Sequence, residues 1–184
     1  MKLIIEKNTL MEGLNYVSKA LSTRNIIPVL NGIKFELKKE GLYLTATDND
    51  ITIECFIDKK DIKSIDEEGC TIIYGKYILE IIRKMPSDVI NFESVDSSKI
   101  KIFTDNNEYN LNCYDINDYP HISLEESKEP ITIKAETLKS IINETSYAVS
   151  TQEVRPLLTG INLKITGDML ECIATDSYRL AKKN

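Results

Sequence analysis

Thr47-Asp48-Asn49-Asp50 sets two carboxylates two residues apart, and a second Thr-Asp pair follows at Thr175-Asp176. Clustered carboxylates are the hard oxygen ligands that a divalent cation takes, and metal-assisted phosphoryl transfer is the chemistry they would serve. Asp48, Asp50 and Asp176 would then be the ligands. The pattern weakens that reading: only Thr-Asp recurs, and the position matching Asp50 is Tyr178. Such an aspartate also has a simpler use, accepting hydrogen bonds from nearby backbone N–H groups to close a turn. Asp48 and Asp176 are read that way here. His121, the one histidine, could act as a general base. It lies in a proline-containing stretch with no counterpart elsewhere in the chain, and no catalytic role is assigned to it. No nucleophile elbow, phosphate-cradling glycine loop or zinc spacing is present, and seven glycines leave little room for one. Cys55, Cys70, Cys113 and Cys172 form no CxxC pair and sit in apolar or alternating stretches, as free thiols filling a core do. No catalytic residue, metal or cofactor is expected.

The bulk properties bound the partners. The 184 residues, 42% hydrophobic and 28% charged, are ample for a packed core. No apolar run approaches the roughly 18 residues needed to span a bilayer, and Met1-Lys2-Leu3-Ile4-Ile5-Glu6 turns acidic too soon for a signal peptide. A cytoplasmic protein with no membrane partner is expected. The net charge of −6 argues, on average, against nucleic acid, whose phosphates attract Lys and Arg. An acidic exterior around a locally basic lining would have the same total.

The groups above are positioned by a duplicated framework. Residues 9–48 align with residues 137–176 without a gap, at a shift of 128, and 15 of the 40 positions are identical. They include Ser22-Thr23 with Ser150-Thr151, Pro28, Leu30, Gly32 and Ile33 with Pro156, Leu158, Gly160 and Ile161, and Ala46-Thr47-Asp48 with Ala174-Thr175-Asp176. A period this long is a domain, not a solenoid unit. Residue 184 corresponds to residue 56 of the first copy, so a second domain lacking about 70 residues, and hence a fragment, is expected.

Within each copy, hydrophobic periodicity gives the elements. Strand 2–6 leads into helix 8–20, capped by Asn8 or Thr9, with Leu10, Leu14, Val17 and Leu21 at helical spacing. Strands 29–37, 42–47 and 51–57 follow. The βαβββ pattern recurs more weakly: strand 70–73, helix 75–85 stopped by Pro86, then strands 89–93, 99–104 and 108–113, with Asp105-Asn106-Asn107 as a turn. A polar stretch from Tyr114 to Pro130 precedes strand 131–134 and helix 136–149. Antiparallel strands with helices on one face make an α+β layer. Units of this kind, joined head to tail, close into a ring when the rotation divides the circle.

The repeat, together with Arg155-Pro156-Leu157-Leu158-Thr159-Gly160 and Ala174-Thr175-Asp176-Ser177-Tyr178-Arg179-Leu180-Ala181, resembles the bacterial sliding clamps, the beta subunits of DNA polymerase III. Arg24 before Pro28-Val29-Leu30, Gly75-Lys76-Tyr77, and Tyr114-Asp115 through Asp118-Tyr119-Pro120 extend the resemblance along the whole chain. It implies a DNA clamp fold of repeated βαβββ half-domains, with antiparallel sheets outside and helices lining one face. It also implies three domains per full chain and a head-to-tail homodimer around double-stranded DNA, held without sequence specificity. Residues 1–122 would be a complete first domain, 123–130 a linker and 131–184 a truncated second, with the third absent. The role implied is a non-enzymatic processivity factor that tethers the replicative polymerase, the clamp loader and repair proteins through short peptide motifs. Carried over by position, the peptide cleft takes Arg155, Leu158, Thr175, Ser177, Tyr178, Arg179 and Leu180. Leucines and the tyrosine ring suit apolar anchors, and the arginines suit carbonyls or acidic groups. The DNA contacts fall on Arg24 and Gln152, which occupy equivalent positions of the two copies. Lys19, Lys76, Arg83, Lys84 and Lys139, on or beside helices, are further candidates for that face. The family often has Gly-His where this chain has Ser177-Tyr178, and aromatic residues where it has Pro156-Leu157. Two rival readings are a repeat-built protein-interaction module with no DNA role, and the metal-dependent phosphotransferase above.

Overall fold

The structure, a computed structural model, describes residues 1–21, 27–122, 131–152, 154–167 and 169–184. The chain forms two compact units, Met1–Ile122 and Ser123–Asn184.

In the first unit β1 (Lys2–Glu6) runs straight into α1 (Lys7–Val17), which a 3-10 turn at Ser18–Ala20 extends. Then come β2 (Gly32–Lys38), β3 (Gly41–Thr47), β4 (Thr52–Asp58), β5 (Ile62–Glu67) and β6 (Gly69–Tyr74). Helix α2 (Gly75–Lys84) and strands β7 (Val89–Ser94), β8 (Lys99–Phe103) and β9 (Glu108–Tyr114) complete the unit. The strands form one antiparallel sheet in the order β4-β3-β2-β6-β9-β8-β7-β1-β5.

That order follows from the two βαβββ halves predicted from the sequence. Each half passes its first strand to the other's sheet: β1 pairs with β7, and β6 with β2. The registers match, with Leu3 opposite Phe92 and Ile5 opposite Ile90 in one pair, and Thr71 opposite Phe35 and Ile73 opposite Ile33 in the other. Leu10, Leu14 and Val17 of α1, and Ile78 and Ile82 of α2, are buried in one core with these strand residues. Phe35 and Phe92, equivalent in the two halves, meet with ring centroids 6.0 Å apart. Full burial of each such side chain contributes about 1.5–3 kcal/mol.

Three expectations need correction. Strand β5 was not anticipated; its Ile62 and Ile65 do not alternate, and it is an edge strand paired only to β1. Helix α1 has Glu6, not Asn8 or Thr9, at its N-cap, with no side-chain cap. A tertiary bond satisfies the helix entry instead, as the Lys7 backbone N–H donates to the Asp88 carbonyl at 2.9 Å. Residues 131–134 are not a strand, because among the described residues they pair with no sheet edge.

The described part of the second unit repeats α1 to β4 of the first, without a strand at the position of β1. Helix α3 (Ala135–Thr145) is α1 shifted by 128, and the 3-10 turn Ser146–Ala148 matches Ser18–Ala20. Strands β10 (Asn162–Thr166), β11 (Met169–Thr175) and β12 (Leu180–Lys183) match β2, β3 and β4, and pair in that order. Ala148, Ala174 and Ala181 form a small core.

Candidate functional site

The second unit's candidate residues sit where the β11–β12 turn meets the loop entering β10. The turn is built by Thr175-Asp176. Asp176 Oδ1 accepts the backbone N–H groups of Tyr178 (3.0 Å) and Arg179 (2.9 Å). Thr175 Oγ1 accepts the Ser177 N–H at 3.2 Å and donates to the Arg179 carbonyl at 2.7 Å. Ser177 is thereby held at φ 79°, a left-handed conformation that few non-glycine residues adopt. The first unit makes the same turn. Asp48 Oδ1 accepts from Asp50 (3.1 Å) and Ile51 (2.8 Å), Thr47 Oγ1 accepts from Asn49 (3.1 Å), and Asn49 lies at φ 82°. Both aspartates are therefore turn-formers. The backbone N–H of Arg179, then that of Tyr178, holds the Asp176 carboxyl below the ordinary aspartate range. Among the described residues, no cluster of three or more His, Cys, Asp or Glu could hold a metal ion.

The loop is fixed from its other side. A 3-10 turn at Pro156–Leu158 begins with the proline's preset φ. The Leu158 N–H donates to the Arg155 carbonyl at 2.9 Å, and the Ser150 N–H to the Leu158 carbonyl at 2.8 Å. Ser150 Oγ accepts the Gln152 N–H at 3.1 Å. Between loop and turn lies a recess of about 340 Å³ lined by Ser150, Gln152, Val154, Arg155, Leu158, Asp176, Ser177 and Tyr178.

The recess brings together Arg155, Leu158, Ser177 and Tyr178 of the expected peptide cleft. Gln152, expected to face DNA, lines it too. Three expected residues stand apart from it. The Thr175 hydroxyl is engaged in the turn. Arg179 folds back: its Nε donates to Asp176 Oδ2 at 2.9 Å, and its guanidinium carbon lies 5.9 Å from the Tyr147 ring centroid. Leu180 is exposed on β12 and does not line the recess. Tyr178 is 97% exposed, an aromatic ring held out on a rigid turn. Ser150, Val154 and Asp176 were not anticipated as lining. The adjacency of Val154 to Arg155 was the available signal for the one apolar residue among them. Arg24 lies outside the described residues.

The helix cations Lys19, Lys76, Arg83, Lys84 and Lys139 are all exposed. Lys84 Nζ lies 2.6 Å from Glu80 Oε1, and Lys19 Nζ lies 5.8 Å from the Tyr16 ring centroid.

Comparison with known proteins gives this arrangement a family context. Residues 1–123 match the family described as DNA polymerase III beta subunit, N-terminal domain, and residues 132–184 match its central domain. The chain is 40% identical to the beta sliding clamp of Bacillus subtilis strain 168 over 98% of its own length and 49% of the relative's. It is 35% identical to that of Staphylococcus aureus strain N315, with the same coverage. The chain thus spans about half the length of the curated relatives it matches. Its fold superposes on the solved DNA polymerase sliding clamp of Bacillus subtilis with a TM-score of 0.94 at 38% identity, covering 100% of this chain and 49% of that one. A sliding clamp of Bartonella birtlesii, solved bound to griselimycin, gives 0.90 at 26% identity, covering 99% and 49%.

Proposed function

This chain belongs to the DNA polymerase III beta subunit family, and from that premise we propose that it is part of a sliding clamp: a non-catalytic ring that encircles duplex DNA and tethers polymerase, clamp loader and repair proteins by short peptides. Residues 1–122 are read as one whole clamp domain, 123–130 as a linker and 131–184 as the opening half of a second. In the full-length protein, domains of this kind would form a head-to-tail homodimer in the cytoplasm. No helix among the described residues is long and apolar enough to cross a membrane.

The observation that carries the partner-binding part is the recess beside the β11–β12 turn. Leu158 and the Tyr178 ring offer apolar contact, Arg155 supplies the rim cation, and the surrounding hydrogen bonds fix the backbone that carries all three. The recess suits peptide-in-groove recognition, in which a few anchors dominate the affinity. The site is Arg155, Leu158, Ser177 and Tyr178, with Thr175 and Asp176 as shapers of the turn; Arg179 and Leu180 would join it only if peptide binding moves them.

For DNA, topology rather than tight contact supplies retention. Arg24, Gln152 and the helix cations make sequence-independent contacts to phosphate, which position without reading bases. Retention of the full-length protein on nicked circular DNA tests this part. It should persist on the circle and vanish when the DNA is cut. A protein that binds peptide but is never retained would be the interaction module without a DNA role. The phosphotransferase reading has no such support, because Asp48 and Asp176 each close their own turn.

A further inference from the structure

The Thr-Asp corner is made twice, and its two copies differ in the residues that hold it. At the left-handed position the first unit has Asn49 (φ 82°) and the second has Ser177 (φ 79°). Asparagine visits that conformation readily, whereas for serine the approach of Cβ to the following carbonyl is less well offset. Two residues on, Ile51 of the first corner gives Asp48 only its backbone N–H, at 2.8 Å. Arg179 at the same place gives Asp176 both its backbone N–H and its Nε, each at 2.9 Å, so that Oδ1 and Oδ2 are both engaged. Its carbonyl also accepts the Thr175 hydroxyl at 2.7 Å.

A third difference lies at the end of the preceding helix. Lys19, after α1, is matched at the shift of 128 by Tyr147, after α3. The Arg179 guanidinium carbon lies 5.9 Å from the Tyr147 ring centroid, while Lys19 lies over Tyr16 of its own helix. Serine, arginine and tyrosine thus occur together in the copy whose corner lines the recess, and asparagine, isoleucine and lysine in the other. A planar guanidinium can serve both contacts at once, donating hydrogen bonds to a carboxylate while resting on an aromatic ring. Ile51 shows that the corner itself forms without an arginine at this position.

We propose that Arg179 is a positioning residue of the recess: held between Asp176 and Tyr147, it supports the corner that the serine weakens and so fixes Tyr178 at the rim, without touching the bound peptide. The inference rests on reading the recess as a peptide site. Ser177 and Tyr178 line the recess and Arg179 does not. A corner already held in its binding form lowers the ordering cost of association, and affinity is gained there.

A double-mutant cycle tests this, with a Gln-Leu-x-Leu-Phe-type peptide titrated into the chain completed to three domains. Arg179→Gln should weaken binding about tenfold where Ser177 is kept. In the Ser177→Gly background it should weaken binding less than about twofold, because glycine takes the left-handed conformation without strain. A side chain that touched the peptide would cost the same in both backgrounds; that result, or no loss in either, would overturn the proposal. No binding by the unsubstituted protein would overturn the peptide reading itself, and this proposal with it. A second readout needs no peptide. The Arg179 and Tyr178 backbone N–H groups, and after them the Arg179 side chain, hold the Asp176 carboxyl below the ordinary aspartate range. The other ionisable groups about the corner are Arg155 across the recess and the phenols of Tyr178 and Tyr147. Arg179→Gln should therefore raise the acid midpoint at which the Tyr178 amide loses exchange protection. An unmoved midpoint would show that the side chain does not act through Asp176, and would equally overturn the proposal.

Discussion

Gly32 and Gly160 occupy the same position of the repeat, yet the structure assigns them opposite sensitivities. A Cβ on Gly32 would lie 2.4 Å from Ile72 Cγ2, 3.1 Å from Tyr114 Cδ2 and 3.1 Å from the Val29 carbonyl oxygen. Ile72 is fully buried and branched at the β-carbon, so it cannot swing aside. Overpacking of this kind costs about 1–3 kcal/mol, against the ~0.4–1 kcal/mol gained when alanine narrows the unfolded ensemble. Gly32→Ala should therefore destabilise the first unit by about 1–2 kcal/mol. Nothing lies within 4 Å of a Cβ on Gly160, and its φ is not positive. Gly160→Ala should leave the second unit unchanged or up to ~1 kcal/mol more stable. Native-state amide exchange reads each unit separately in the intact chain, through the β2 and β6 amides for one and the β11 amides for the other. Equal destabilisation by the two substitutions would refute the reasoning, because the contrast rests on β6 covering Gly32 and no described residue covering Gly160.

Two further predictions concern protons. Asp176 has a depressed carboxyl pKa, so the turn it closes is fully held above the ordinary aspartate range and released as pH falls through the lower folded value. Exchange protection of the Tyr178 and Arg179 amides should follow that midpoint and lose its acid dependence in Asp176→Asn; a midpoint above the ordinary range would contradict this. Burial pushes the Tyr119 phenol, whose hydroxyl donates to the Thr45 carbonyl at 3.3 Å, up to about 12. The raised value means that stability is intact below the unfolded tyrosine pKa of about 10 and is lost as pH climbs through about 12. Ultraviolet titration should show a phenol ionising near 12 that is absent in Tyr119→Phe.

Much of this architecture is legible in the sequence because the duplication repeats its determinants. Pro28 and Pro156 start the same 3-10 turn, and Thr47-Asp48 and Thr175-Asp176 build the same left-handed corner. What the sequence conceals is set by tertiary partners. Helix α1 begins without a side-chain cap because Asp88, far along the chain, supplies the acceptor. Residues 131–134 carry the alternation of a strand but find no edge to pair with among the described residues. In the candidate site, the family resemblance grouped Arg155, Leu158 and Tyr178 by position but could not foresee that Arg179 turns back onto Asp176 and the Tyr147 ring. That rotamer depends on an exposed aromatic from the preceding helix end, a contact with no local sequence signature.

The central claim is most directly tested by fluorescence-anisotropy titration of a Gln-Leu-x-Leu-Phe-type peptide, the kind the clamp resemblance implies. It would be titrated against this chain completed to three domains, with Leu158→Asp alongside. The account predicts saturable binding that the aspartate weakens at least tenfold, about 1.4 kcal/mol, by placing a charge in the recess. Binding unaffected by Leu158→Asp, or no binding by either protein, would contradict it.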